Sequence, residues 1–151
     1  YNFLPSEISA AFALEQLKKL KQNIKKRVYN FAKLKNFFSK YPNLFDLPRQ
    51  QEKLITPWLA YPILLNRKSK INRQKLQIYF EKRGIQTRTI FTGNILRQPV
   101  MKKRIFKKGR NAEINSKSVM ASGSLIGCHH GLTDKDLNFI IKTSKKFIST
   151  I

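Results

Sequence analysis

Residue types that build particular kinds of site are scarce in this sequence. The single cysteine, Cys128, cannot form an internal disulfide, which fits a reducing compartment. The two histidines, His129 and His130, are neighbours, and no second histidine or cysteine cluster accompanies them. A zinc site needs more ligands than these, and a nucleophilic thiol needs an oriented base. We therefore predict no metal site and no catalytic cysteine.

Long apolar runs are absent as well. No stretch approaches the roughly 18 apolar residues that a membrane-spanning helix needs. The first residues, YNFLPSEISA, have no basic region ahead of an apolar core and do not resemble an export signal. We expect a cytoplasmic protein with no membrane partner.

Acidic residues are also few, and they leave a large positive charge. Eight acidic residues stand against 31 basic ones, which gives a net charge of +23 over 151 residues. Such a charge predicts attraction to nucleic acid or another polyanion. The lysines are nevertheless spread from Lys18 to Lys146, and Asn and Ile are frequent too, as drift in an A+T-rich coding sequence would produce. Both interpretations stay open.

The densest basic run is KKRIFKKGR, Lys102 to Arg110. Lysines bind backbone phosphates without reading sequence, so this run is the best nucleic-acid candidate. No helix-turn-helix pattern or aromatic platform accompanies it, and nucleic acid is therefore an unlikely partner. The alternative function is a non-catalytic basic module that binds nucleic acid or another polyanion.

The most regular pattern is an amphipathic helix over about Ser6 to Ser39. Ser6 can cap this helix, and Glu7 lies in its first turn, near the positive end of the helix dipole. A seam that long needs a partner elsewhere in the fold or in another subunit. The apolar residues of the seam recur at spacings of three and four: Ile8, Ala11, Leu14, Leu17, Leu20, Ile24, Val28, Phe31, Leu34 and Phe38.

The remaining sequence alternates between short strands and helices. Tyr41 to Pro57 is a proline-containing connection, and Pro62 places the next strand at a sheet edge or gives it a bulge. Gly84 fits a left-handed helix end, and the stretch from Gly93 to Arg110 is irregular. The elements expected after the connection are a strand within Thr56 to Asn66, a helix from Asn72 to Arg83, a strand from Ile85 to Phe91, a helix over Ala112 to Ser122, a strand within Ser124 to Gly131, and a final helix capped by Thr133 with Asp136.

The stretch GIQTRTIFTGNILRQP, Gly84 to Pro99, carries candidate ligand contacts. Arg88 alternates with its strand neighbours, and its guanidinium could bind a carboxylate or phosphate through two hydrogen bonds. A solvated strand arginine is the other interpretation. Asn94 and Arg97 follow in a loop, where binding residues are common, while Gly93 serves the turn itself.

Four segments together resemble one enzyme family. YNFLPSEISAAFALEQLKKL, PWLAYPILL, GIQTRTIFTGNILRQP and GCHHGLTDKDL are similar, in this order, to landmarks of the DegT/DnrJ/EryC1/StrS sugar aminotransferases. The resemblance implies an α+β fold in which a long N-terminal helix leads into the small C-terminal domain of an aspartate-aminotransferase-type (fold type I) enzyme. Residues 1–40 would then be the helix that ends the large cofactor-binding domain, and residues 41–151 the small domain.

The resemblance also implies a chemistry. Members use pyridoxal 5'-phosphate (PLP) or pyridoxamine phosphate on a nucleotide-linked 4-keto sugar, for amino transfer or for removal of the C3 hydroxyl, and they work as homodimers. The segment TGNILRQP resembles the corresponding segment of the 3-dehydrase branch, whose members make sugars for lipopolysaccharide. The lysine or histidine that decides between the two reactions would lie upstream, as would any iron–sulfur ligands. We therefore expect a C-terminal fragment that has no catalytic residue and holds no cofactor alone.

Two further residues receive a role from the resemblance. Asn2 matches the family asparagine that contacts the PLP phosphate of the neighbouring subunit, although it could instead cap a frayed terminus. Leu4 stands where many relatives have a basic residue, so no charge contact is expected there. His130 lies near the active-site cleft in this comparison and is a candidate substrate contact.

Overall fold

The computed structural model describes residues 4–107, 109 and 112–151. Its first element is the predicted long helix, α1, which spans Glu7–Phe38. The Ser6 hydroxyl accepts a hydrogen bond from the Ser9 amide at 3.2 Å, so the predicted cap is confirmed. The helix bounds differ from the prediction by one residue at each end.

The two halves of α1 have different surroundings. Its second half enters the core, where Phe31, Leu34 and Phe38 are buried. In the first half the apolar seam faces solvent. Its large side chains there are between 46% and 84% exposed: Ile8, Phe12, Leu14, Leu17 and Leu20.

The sheet has four antiparallel strands in the order β1-β2-β4-β3. Three of them were expected, although shorter than predicted, and the two-residue strand β1 within the proline-containing connection was missed. The strands span Phe45–Asp46 (β1), Ala60–Leu65 (β2), Thr87–Thr89 (β3) and Gly123–Gly127 (β4).

Pro62 lies in an inner strand with a continuous register to β4, which corrects the prediction of an edge strand or a bulge. Strand β1 pairs only with Leu64 and Leu65, whereas Pro62 faces Leu125 of β4. The proline therefore has a paired strand on one side only. A proline has no backbone N–H to donate, so it can occupy a strand position that is unpaired on one side.

Three more helices follow: α2 at Arg73–Glu81, α3 at Ala112–Ser122 and α4 at Asp134–Ile148. The Asn72 side chain caps α2 by accepting from the Gln74 amide at 2.7 Å. Gly84 has the predicted positive φ, +73°. The Thr133 hydroxyl accepts from the Asp136 amide and the Asp136 carboxylate accepts from the Thr133 amide, which confirms the predicted capping box.

The core lies between the sheet and helices α1, α2 and α4. Phe38 of α1 stacks on Tyr61 of β2, with ring centres 5.3 Å apart, and meets Phe45 edge-on. This packing fixes the second half of α1 against the sheet. The other buried apolar residues of the core include Leu34, Ile63, Leu65, Leu76, Phe80, Ile126, Leu137, Ile140 and Phe147.

The segment after β3 departs from the prediction. The strand expected to continue to Phe91 ends at Thr89. Phe91 has φ +46°, which is outside the extended region, so the strand cannot continue through it. The irregular segment that follows contains two short 3₁₀ helices, Ile95–Arg97 and Pro99–Lys103. Within the described ranges, no helix is both long and apolar enough to cross a bilayer.

Candidate functional site

A tight turn after β3 carries two of the predicted ligand contacts. The Gly93 amide donates to the Ile90 carbonyl at 3.0 Å, and Gly93 has φ +69°. A Cβ at Gly93 would lie 2.5 Å from the Cβ of Met120 in α3. Both the backbone conformation and the close approach require glycine, so its predicted role in the turn is confirmed.

Asn94 has a folding role in this turn. Its side chain is buried, and its Oδ1 accepts from the Leu96 amide at 3.0 Å, which caps the first 3₁₀ helix. Its Nδ2 is buried too and has no hydrogen-bond partner among the described residues. A ligand approaching from solvent therefore does not meet the Asn94 amide directly.

Arg88 and Arg97 differ from Asn94 in that both are exposed. Arg88 lies on β3 opposite Leu125, and Arg97 ends the first 3₁₀ helix. Within the described part of the chain, no acidic side chain is within ion-pair distance of either guanidinium. Both groups are thus accessible to an anionic ligand.

His130 lies at the other end of the sheet. The turn after β3 contacts the start of β4, since a Cβ at Gly123 would meet Ile90 at 2.8 Å. Strand β4 extends about 13 Å from Gly123 to its other end, at about 3.3 Å per residue, and His130 follows that end. Its Nδ1 is 3.5 Å from Nη2 of Arg27 in α1. The turn that contains Asn94 therefore lies near the start of β4 and His130 lies beyond its end, while Arg88 faces Leu125 in the middle of β4.

The segment around His130 is held by α1. The Asn30 side chain is fully buried, and its Nδ2 donates to the His129 carbonyl at 2.7 Å. Burial raises the pKa of the neighbouring Cys128 thiol to about 12, so the thiol is protonated at neutral pH and is a poor nucleophile. Sequence reasoning missed the Asn30 contact because the two residues are far apart in the chain.

A polar contact between α1 and α4 lies beside this segment. Asp134 Oδ1 accepts from Lys33 Nζ at 2.7 Å and from the Tyr29 hydroxyl at 2.8 Å. The hydrogen bond from Lys33, and then that from Tyr29, lowers the pKa of Asp134. This surface contact orients the start of α4 on α1, and no local pattern in the sequence indicated it.

Comparison with known proteins identifies the family of this chain. A model of the DegT/DnrJ/EryC1/StrS aminotransferase family matches residues 1–145. The chain belongs to this family. The resemblance drawn from the four sequence segments is thereby confirmed.

Curated members of the family cover nearly the whole chain. The lipopolysaccharide biosynthesis protein RfbH of Salmonella typhimurium is 29% identical over 150 residues, which cover 97% of this chain and 33% of RfbH. The dTDP-4-dehydro-2,6-dideoxy-D-glucose 3-dehydratase of Saccharopolyspora spinosa is 28% identical, over 99% of this chain and 32% of that enzyme. The chain thus spans about a third of the length of the curated relatives it matches.

Solved structures of family members superpose on the same region. GDP-4-keto-6-deoxy-D-mannose-3-dehydratase of Escherichia coli, solved with bound hydrated PLP, is 27% identical and has a TM-score of 0.83 over 95% of this chain and 36% of that one. The aminotransferase PseC of Helicobacter pylori, at 20% identity and the same TM-score, covers the full chain and 39% of its own. The predicted α+β fold of the fold-type-I aminotransferases is confirmed.

Covalent attachment of PLP depends on a lysine side chain. A lysine for this role needs a desolvated pocket, yet every described lysine is exposed or half-buried. Hydrogen bonding to Asp134 raises the pKa of Lys33, opposite to what a nucleophilic amine needs. The described residues therefore do not fit covalent attachment of PLP. They also contain no cluster of three or more potential metal ligands.

Three residues with a predicted role lie outside the described ranges. They are Asn2, the candidate contact to the PLP phosphate, and Lys108 and Arg110 of the basic run. The rest of that run, from Lys102 to Lys107, is exposed. The substrate contacts of Arg88, Asn94, Arg97 and His130 stay predictions.

Proposed function

We propose that this chain is the C-terminal part of a PLP-dependent enzyme that acts on a nucleotide-linked 4-keto-deoxysugar. The observation that carries this proposal is the match of nearly the whole chain to one third of RfbH and of a 3-dehydratase. When bound, PLP supplies an electron sink for bond breaking next to the sugar ketone. Residues of this chain would contribute substrate binding and not covalent catalysis.

The domain boundary belongs to the same proposal. Residues 1–40 would form the helix that ends the large PLP-binding domain, and residues 41–151 the small domain. The exposed seam of α1 supports this division, because each large apolar side chain gains about 1.5–3 kcal/mol when fully buried. The large domain is the occupant that we propose for the seam.

Removal of the C3 hydroxyl is the reaction that the relatives favour over amino transfer. The GDP-4-keto-6-deoxy-D-mannose 3-dehydratases of Yersinia pseudotuberculosis and Escherichia coli are 38% and 31% identical over 64% and 85% of this chain. Deoxysugar synthesis for lipopolysaccharide, in the cytoplasm, is the corresponding process. Amino transfer is the alternative, which a lysine in place of histidine at the cofactor would support.

The substrate and partner are proposed from the exposed residues. Arg88 and Arg97 would bind the diphosphate of the nucleotide sugar, and Asn94 would hold the loop that carries Arg97. Asn2 would contact the PLP phosphate of the second subunit in a homodimer. His130, which lies at the other end of the sheet, would contact a different part of the substrate.

A chimeric enzyme tests the proposal. This chain would replace the matching third of the Escherichia coli GDP-4-keto-6-deoxy-D-mannose 3-dehydratase, and the product would be assayed for PLP absorbance and for substrate turnover. We expect both to persist, with the rate reduced by imperfect packing at the new junction. The isolated chain, as a control, should show no PLP absorbance band.

Two results would contradict the proposal. One is a chimera that folds and binds PLP but neither binds nor turns over any nucleotide sugar. The other is a stoichiometric, borohydride-reducible PLP adduct on the isolated chain, because that adduct would place the cofactor lysine within these 151 residues.

A further inference from the structure

Phe91 combines two properties that folding does not explain. Its backbone has φ +46°, a left-handed conformation that is unfavourable for a bulky residue and that glycine or asparagine adopts more readily. Its ring is 87% exposed, so packing within the described residues does not offset the backbone strain. Strained residues of this kind cluster at ligand sites, where the strain positions a side chain.

The turn around Phe91 is held firmly. The Thr89 hydroxyl donates to the Phe91 carbonyl at 3.2 Å, and the Gly93 amide closes the turn onto the Ile90 carbonyl at 3.0 Å. Gly93 is in close contact with Met120 of α3. Because the turn is fixed from both sides, the Phe91 backbone is held in place while its ring extends into solvent.

The charge around this turn is mostly positive. Residues 82–112 include ten basic residues and no acidic one, and the Glu81 carboxylate just before them is hydrogen-bonded to β3. Arg88 lies on β3, before Phe91, and Arg97 lies in the first 3₁₀ helix after it. Both arginines are exposed. Such a segment attracts an anion, and an exposed aromatic ring within it suits a ligand that has a flat ring of its own.

We infer that Phe91 is a stacking platform for the base of a nucleoside diphosphate whose phosphates bind Arg88 and Arg97. This inference rests on the proposed function, since it assigns a residue to the nucleotide part of the substrate. Stacking of a base on an aromatic side chain is strong enough to justify a strained turn, and it tolerates different bases. An arginine guanidinium can bind a phosphate through two parallel hydrogen bonds.

Titration of the chain with GDP and with inorganic pyrophosphate tests the inference, with binding followed by calorimetry and by NMR shifts. We expect GDP to bind about 5- to 100-fold more tightly than pyrophosphate because of base stacking. Phe91→Ala should remove this difference and leave the pyrophosphate affinity unchanged, while Phe91→Tyr should restore it. Phe139→Ala, which changes a half-exposed ring on α4, is the matched control and should have no effect.

Four outcomes would overturn the inference. Equal affinities for GDP and pyrophosphate would indicate charge attraction alone, and equal GDP affinities of Phe91→Ala and Phe139→Ala would assign the base elsewhere. Undetectable binding of GDP would show that Phe91 serves another contact, such as one with a covering domain. If the chimera nevertheless turns over substrate with an unchanged KM after Phe91→Ala, the proposed function stands and the stacking role alone is wrong.

Discussion

The two halves of α1 have the same apolar seam and opposite surroundings. Leu34, in the second half, is fully buried against the sheet, whereas Leu17, in the first half, is 61% exposed. Spacings of three and four continue through both halves, so the pattern predicts which face of the helix is apolar. It does not predict what covers that face. The exposed half is the structural observation that most supports the proposed large domain.

The largest expected effect is on the free energy of unfolding, and it differs between the two halves of α1. Leu34→Ala should lower the free energy of unfolding by about 2–5 kcal/mol, because it leaves a cavity in the core. Leu17→Ala, the same substitution on the same helix, should change it by less than about 0.5 kcal/mol. Urea denaturation of the isolated chain measures both values. Similar losses for the two variants would mean that the first half of α1 is buried in solution.

Asn30 extends the comparison to polar groups. Asn30→Ala removes the hydrogen bond to the His129 carbonyl and should cost about 1–2 kcal/mol, because the Asn30 side chain is fully buried. Asn36→Ala, at an exposed position six residues further along α1, is the control and should be nearly neutral. The same denaturation experiment applies. An unchanged stability for Asn30→Ala would contradict the role of Asn30 in holding the segment that carries His130.

The turn at Phe91 offers a gain in stability. Phe91→Gly should raise the free energy of unfolding by about 1 kcal/mol, because glycine adopts the left-handed conformation without strain. Phe91→Ala keeps a Cβ and should give little of this gain. Thermal unfolding of the two variants makes the comparison, and a Phe91→Gly variant no more stable than Phe91→Ala would contradict the left-handed conformation at this position.

The smallest effect concerns the surface contact between α1 and α4. The pKa of Asp134 is lowered in the folded chain, so its contribution to stability is present above the unfolded pKa of about 3.9 and is lost as the pH falls through the folded value. The melting temperature should therefore fall between about pH 5 and pH 2, less steeply in Asp134→Asn. Glu52→Gln, in an exposed loop, should leave the slope unchanged. Equal slopes for Asp134→Asn and the parent chain would exclude this contribution.

Local signals predicted much of this fold. Ser6, Asn72 and Thr133 each cap a helix as expected, and Gly84 has its left-handed conformation. These features depend on hydrogen bonds or sterics within a few residues, and the sequence carries them directly. The family was identified from the order of four segments for a similar reason, since each segment is short and contiguous.

Features set by distant contacts were missed or predicted incorrectly. The strand predicted to reach Phe91 is interrupted by a turn that packs on Met120, some thirty residues away. Asn94 was predicted to lie in a loop, but its burial as the cap of a 3₁₀ helix was not predicted. His130 follows β4, five residues after the Leu125 that faces Arg88, and the substrate contacts of both residues stay predictions. The contact between the turn at Phe91 and Met120 is not encoded by neighbouring residues.

Hydrogen exchange along α1 tests the central claim most directly. Amides of residues 7–22 and 23–38 would be followed in the isolated chain, at several chain concentrations, and in the chimera with the Escherichia coli enzyme. We predict rapid exchange for residues 7–22 and slow exchange for residues 23–38 in the isolated chain, and slow exchange for both in the chimera. Rapid exchange of residues 7–22 in a folded, PLP-bound chimera would contradict the proposal that a large domain covers the exposed half of α1.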